Sequence, residues 1–405
     1  MSANVIVQIA SASTGGIGRL TRDISDVLNN NGIENYIAYG RGQIFNPNRD
    51  FMFGNKIEIV AHGVMTRLND KTGLYSRRGT KQLIDFLDIV KPSIIQLHNL
   101  HGYYLNYEML FDYIKTNNIA VVWTLHDCWS FTGHCTHYTY EKCYQWKDKC
   151  LKCVQLHRYP ASYLKGNVKK NYQRKRDAFT GVEKLTIVTP SQWLAEQVKE
   201  SFLKYYPIEV INNGIDLSIF RIKSNYDISK YSIPDKKIVL GLASTWGDRK
   251  GESDFIKLSK ILPSDYVIVL VGYPRNKWKK LPQNIYPIEH TENVEELVDL
   301  YNAADIFLNL TYEDTFPTTN LEAMACGTSV ITYKTGGSPE SVIETSGYIV
   351  KVGDLFKVRD IVLIHKKTKQ TMLDCRKHAC EYDKKNKFEE YLELYKEKIK
   401  ELKNE

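Results

Sequence analysis

The chain has 405 residues, of which 43% are hydrophobic and 25% charged, and a formal net charge of +8. That length suits two domains of about 200 residues better than one ordinary core, and the composition excludes a disordered or fibrous chain. No apolar run approaches the roughly 18 residues that span a bilayer. The opening MSANVIVQIA has neither a basic stretch nor a small-residue cleavage site, so no signal peptide is read and a cytoplasmic setting is expected.

In chain order, Val5–Ala10 is a short apolar run that predicts a buried strand. The loop SASTGGIG (11–18) follows. Ile17, Leu20, Ile24, Val27 and Leu28 then recur at helical spacing, up to a stop at Asn30-Asn31-Gly32. Strand, glycine-rich loop and helix in that order open a doubly wound sheet. A second strand ends at Ala38-Tyr39-Gly40-Arg41, and Ser93–Leu97, Ala120–Leu125 and Leu185–Thr189 read as further buried parallel strands. A connection lies near Tyr205–Asp216, where proline and Asn-Asn-Gly interrupt the pattern. Strands then restart at Lys237–Ser244, Val267–Gly272, Ile306–Leu310 and Ser329–Tyr333, separated by helical segments such as Val294–Ala303. The charged tail from Lys384 reads as an amphipathic helix. The predicted class is α/β, with two doubly wound Rossmann-like domains, 1–205 and 206–384, facing a central cleft. The helix 385–405 is expected to pack on one of them, the N-terminal domain being the candidate.

Three groups of residues could carry chemistry. Gly15, Gly16 and Gly18 stand where a helix start meets an anion with free N–H groups. The second strand ends without the carboxylate that a nicotinamide site needs, so close approach of a substrate, or a tight turn with no ligand, are the open readings. His126-Asp127 follows a strand directly, where ligands of open α/β sheets bind. The richest segment is Glu313–Gly337. Its loop carries Asp314 and Phe316-Pro317, and a helix is predicted from Thr319 or Asn320 with Glu322 in its first turn. Thr318, Thr319 and Asn320 offer hydroxyls, an amide and N–H groups to phosphates or sugars. Glu322 suits a vicinal diol such as ribose, and Gly336-Gly337 offers a second backbone cradle.

This segment resembles the signature of glycosyltransferase family 4, retaining enzymes of the GT-B architecture, whose pattern is Glu, seven residues, Glu. Glu322 matches the second Glu and Asp314 replaces the first. His126-Asp127, Pro190-Ser191-Gln192-Trp193 and Asn213-Gly214-Ile215-Asp216 extend the resemblance over most of the chain. It implies that Glu322 holds the donor ribose, that Asp314 and the loop Phe316–Asn320 face the donor sugar, and that His126 sits beside donor and acceptor. Lys250 matches the lysine that neutralises the diphosphate, with Arg249 standing in for a family arginine whose place Ser244 takes. The implied reaction moves a hexose-type sugar from a UDP- or GDP-linked donor to a glycan or polyprenyl-diphosphate-linked oligosaccharide in bacterial surface polysaccharide synthesis, with no cofactor for catalysis. The alternatives are a nucleotide-sugar epimerase of the same architecture and a zinc-containing binding module.

Within the family, Trp123–Cys153 resembles a subgroup of colanic acid synthesis. Five of the eight cysteines fall in the insertion 128–153. Cys135, Cys143, Cys150 and Cys153 could close a tetrahedral structural zinc site, the last two having zinc spacing. Free thiols, or His134 or His137 in place of one cysteine, are the other readings. The basic stretch Lys165–Arg176 suggests weak peripheral contact with anionic membrane at the inner face of the cell. It carries too few aromatics to suggest nucleic acid.

Overall fold

A computed structural model describes residues 4–404. Among these, seven parallel strands form one sheet: β1 Ile6–Ala10, β2 Asn35–Tyr39, β3 Asp50–Met52, β4 Ile94–Leu97, β5 Ala120–Thr124, β6 Leu185–Thr189 and β7 Ile208–Val210, in the order β3-β2-β1-β4-β5-β6-β7. Six more form a second sheet: β8 Lys237–Leu242, β9 Tyr266–Val271, β10 Ile285–Ile288, β11 Ile306–Asn309, β12 Val330–Tyr333 and β13 Gly347–Val350, in the order β10-β9-β8-β11-β12-β13. Parallel sheets need helices on both faces, and the central strands show it. Val7 and Ile9 enter one apolar cluster and Ile6 another, while Leu240 and Val269 enter one and Val239 and Ile268 another. The four strands that the apolar runs do not predict, β3, β7, β10 and β13, are the four sheet edges.

The chain divides into two compact units, residues 1–211 with 388–405, and residues 212–387. The first unit thus runs past the expected residue 205, because β7 pairs with β6. The tail helix Lys384–Lys403 is pinned onto the first sheet by two buried tyrosines. Tyr395 Oη donates to Gln96 at 2.6 Å, and Tyr391 Oη lies 3.2 Å from Thr124 Oγ1. No helix among the described residues is long and apolar enough to cross a membrane.

Two expectations change here. The helix Gly15–Asn30 starts earlier than predicted, so all three glycines lie in its first turn and not in a loop. A Cβ on Gly18 would stand 2.2 Å from the Ser13 carbonyl, so this position needs glycine for packing, whereas Gly16 faces open space. In the basic segment, Lys175 is not a surface charge. It is buried in the helix Val168–Phe179, donates to the carbonyls of Trp129 at 2.6 Å and Thr132 at 3.0 Å, and lies 3.4 Å from the Trp129 ring centroid. Burial pushes its ammonium down to about 7.

Candidate functional site

In the second unit the winding reverses between β8 and β11, which opens a crevice at the carboxyl ends of those strands. The segments after β8, β11 and β12 carry the predicted residues. After β8, a single turn Asp248–Lys250 brings Lys250 Nζ to 2.8 Å from Asp314 Oδ2, both side chains being partly exposed. The two loops are tied by the Tyr312 N–H donating to the Arg249 carbonyl at 2.8 Å. Arg249 itself leans toward buried Glu313, at 3.8 Å.

The helix Thr318–Ala325 starts directly after Pro317, with no capping side chain. Its first N–H groups, on partly exposed Thr318 and Thr319, are therefore placed to meet an anion. The helix starts one or two residues earlier than predicted, which puts Glu322 just past its first turn; it is partly exposed, and its Oε2 accepts from Tyr301 Oη at 3.0 Å. Burial, with the Glu322 charge adding to it, pushes the Tyr301 hydroxyl far up, so it stays a donor.

Several predicted ligands also make packing contacts. The Asn320 amide is buried, accepting from Asn309 at 2.8 Å and donating to Ser341 at 2.9 Å. Phe316 and Pro317 are buried, and the Phe316 ring packs on Tyr382 with centroids 5.7 Å apart. Gly336 has φ +55°, and a Cβ there would meet the Asp314 carbonyl oxygen at 2.0 Å. The Gly337 N–H donates to that same oxygen at 3.0 Å. These glycines hold the Asp314 loop, and the N–H of Gly337 is already spent.

In the first unit the winding reverses between β1 and β4. His126, after β5, meets His98, after β4, with Nε2 and Nδ1 3.2 Å apart. Burial pushes His126 down to about 4, and burial together with His126 holds His98 well below the ordinary range, so the pair is neutral at pH 7. Asp127 Oδ2 lies 2.7 Å from His101 Nε2, and His101 Nδ1 lies 3.0 Å from the Tyr159 hydroxyl. Burial would raise Asp127, but the charge and hydrogen bond of His101 outweigh it and bring the carboxyl down to about 2. His98 and His101 carry the positional signal that singled out His126, a strand's carboxyl end. Tyr301 carries none, since a tyrosine on the inner side of an amphipathic helix reads as core.

The four cysteines expected to hold zinc lie in the insertion, Cys135 and Cys150 buried and Cys143 and Cys153 partly so. Among the described residues, however, no group of three or more His, Cys, Asp or Glu is arranged to hold a metal ion. The sulfurs make the following contacts. The Cys135 thiol donates a hydrogen bond to Cys153, which raises its own pKa and lowers that of Cys153. Cys150 accepts the Gly133 N–H at 3.2 Å, and Cys143 accepts from the Gln145 amide at 3.7 Å.

The neutral histidines make stability pH-dependent. His62, also buried, is pushed down to about 3. A folded pKa below the unfolded 6.5 means that the unfolded chain binds more protons between the two values, so stability falls as pH falls below about 6.5. Each such group costs about 1.4 kcal/mol per pH unit. His134 opposes this. Burial works against its charge, but Asp70, 2.5 Å away, outweighs it and raises the pKa. With His62, His98, His126 and His365, which burial also lowers, against one opponent, the melting temperature is expected to drop by several degrees between pH 7 and 5, and His126→Gln should flatten the profile. Thermal melts across this range check it, and a temperature that holds or rises contradicts the assignment.

Comparison with known proteins agrees with this layout. Residues 14–219 match the description of Glycosyltransferase Family 4, and residues 224–400 that of Glycosyl transferases group 1. The chain is 22% identical over 372 residues to the colanic acid biosynthesis glycosyl transferase WcaC of Escherichia coli K12, covering 88% of this chain and 89% of that one. It is 27% identical over 219 residues to a GDP-mannose-dependent phosphatidylinositol monomannoside mannosyltransferase of Corynebacterium glutamicum, covering 47% and 55%. Among solved structures, sucrose-phosphate synthase from Thermosynechococcus elongatus superposes with a TM-score of 0.71 at 14% identity, covering 97% and 98%. HepE from Anabaena in complex with UDP gives 0.67 at 14% identity, covering 97% and 100%. These structures share the fold. With half of its length matched by one family and most of the remainder by glycosyl transferases group 1, the chain belongs to glycosyltransferase family 4.

Proposed function

We propose that this glycosyltransferase moves a hexose-type sugar from a UDP- or GDP-linked donor to a glycan or polyprenyl-diphosphate-linked oligosaccharide, with retention at the anomeric carbon. The observation that carries the reading is the convergence, at the reversal point of the second sheet, of a cation, an uncapped helix start and a fixed carboxylate. Lys250 and the N–H groups of Thr318 and Thr319 suit a diphosphate, and Glu322, steadied by Tyr301, suits the ribose diol. The C. glutamicum relative is named as GDP-mannose-dependent, and HepE is described with UDP and with UDP-glucose.

In the reaction the bond from the anomeric carbon to the diphosphate oxygen breaks, and its electron pair leaves with the nucleoside diphosphate. The acceptor hydroxyl oxygen bonds to that carbon on the same face, and its proton passes to a leaving phosphate oxygen. Lys250 and the helix start stabilise the charge that grows on the leaving group. On the first unit, neutral His126 and ionised Asp127 are assigned to the acceptor side.

A thermal-shift panel of UDP-, GDP- and ADP-sugars tests the reading. The matching donor at a hundred times its Kd should stabilise by about 2.7 kcal/mol, roughly 5–10 °C for a domain of this size. No shift with any of them would refute it. Product analysis with donor alone separates transfer from epimerisation, since an epimerase needs no acceptor.

A further inference from the structure

The helix Lys56–Asn69 in the first unit is built inside out. Its inward side carries His62, Gly63 and Thr66, all buried, with His62 Nδ1 2.8 Å from Ser76 Oγ and Nε2 accepting the Gly73 N–H at 3.0 Å. Its outward side carries Ile57, Val60, Val64 and Leu68, which are 82%, 57%, 49% and 41% exposed. Spacings of three, four and four put them on one stripe, the side that a helix of a water-soluble domain gives to polar residues. Lys56 and Arg67 are exposed beside the stripe. The helix's one carboxylate, Glu58, accepts the N–H groups of Arg78 and Gly79 at 3.0 and 3.1 Å, so its charge is turned onto the next helix. The surface continues past the helix end. The Tyr163 N–H donates to the Arg67 carbonyl at 2.7 Å, which seats exposed Tyr163 and Leu164, the latter 76% exposed, beside Leu68. Exposed Lys165, Lys169 and Lys170 follow.

We infer that this surface lies on an anionic lipid bilayer, with the aliphatic stripe and Leu164 entering the headgroup boundary and the lysines and Arg67 meeting lipid phosphates. An interfacial helix is recognised by this arrangement, an apolar outer face rimmed by cations. Charge selects the occupant. Beside the stripe the rim is basic, and the helix exposes no carboxylate that could answer the same rim on a second copy of the chain. The surface is broader than the charge-only contact expected of Lys165–Arg176, which loses buried Lys175 and gains an apolar component that salt does not screen. It is independent of the donor assignment above.

Co-sedimentation of the full chain with vesicles of phosphatidylcholine alone, or mixed with phosphatidylglycerol, tests the inference. Binding should be stronger with the anionic lipid, and salt should weaken it without abolishing it. The exposed double variant I57E/V64E should lose tenfold or more of the binding, with unchanged melting temperature and unchanged donor-induced thermal shift. Lys165→Gln and Lys169→Gln should each cost about fivefold on anionic vesicles only. The inference is overturned if the chain ignores anionic vesicles, if I57E/V64E binds them like the parent, or if that variant instead turns a dimer into a monomer.

Discussion

Lys250→Ala is expected to lower turnover by about 10²–10³, the usual cost of removing one preorganised donor from a developing oxyanion. The effect belongs mainly to kcat, because charge on the diphosphate grows as it leaves and the cation binds that state more strongly than the bound donor. The fold should hardly notice. The Lys250–Asp314 pair is 2.8 Å long but partly exposed, with side chains 25% and 21% accessible, and such pairs contribute about 0–1 kcal/mol. Lys250→Arg keeps the charge yet replaces a compact ammonium with a planar fork, so partial rescue is expected. The pairing also sets Asp314 Oδ2 against the Lys250 ammonium, a contact that its place in the motif does not reveal. Asp314→Asn should therefore lower kcat while leaving the melting temperature close to the parent's. Turnover of Lys250→Ala within threefold of the parent would remove this residue from the diphosphate.

On the proposed reading Glu322 should behave differently, because bonds to a ribose diol would be made in the ground state and kept throughout the reaction. Charge-assisted hydrogen bonds contribute about 1.5–3 kcal/mol each, so Glu322→Ala should weaken donor binding tenfold or more with a smaller effect on kcat. Here the fold does respond. Tyr301 is fully buried and its hydroxyl donates to Glu322 Oε2, so truncation strips a buried donor of this acceptor and costs about 1–3 kcal/mol. Glu322→Gln separates the two effects, since its amide oxygen still accepts from Tyr301 while the charge is gone. Its melting temperature should stay near that of the parent, and its donor Kd should rise about tenfold. Tyr301→Phe should leave the carboxylate in place but freer to turn, raising Kd a few-fold. Isothermal titration with the matching donor, together with melts of the three variants, reads all of this. Equal Kd for parent and Glu322→Gln would show that the carboxylate does not hold the nucleotide.

What the amino-acid order determined by itself was the part written in local runs. The central strands β1, β2, β4, β5, β6, β8, β9, β11 and β12 are largely buried on both faces, so each appears as a mainly apolar run bounded by polar loops. The edge strands hide, because an edge needs fewer apolar residues. β3 is Asp-Phe-Met, and β10 contains Pro287, which an edge tolerates. Candidate site residues were legible wherever a strand's carboxyl end or the family's spacing marked them, as for His126, Lys250, Asp314 and Glu322. Tertiary structure alone decided their partners and their availability. Lys250 and Asp314 are 64 residues apart, and Tyr301 and Glu322 are 21 apart on different helices. Asn320 and Gly337 look like donors in the sequence, and only packing shows their N–H groups spent on Ser341 and Asp314. Lys175 reads as surface charge and lies under Trp129, while apolar Ile57 and Val64 face outward. Helical periodicity shows which residues share a face. Which way that face points depends on what the rest of the chain packs against it, and here polar His62 and Thr66 take the inner side.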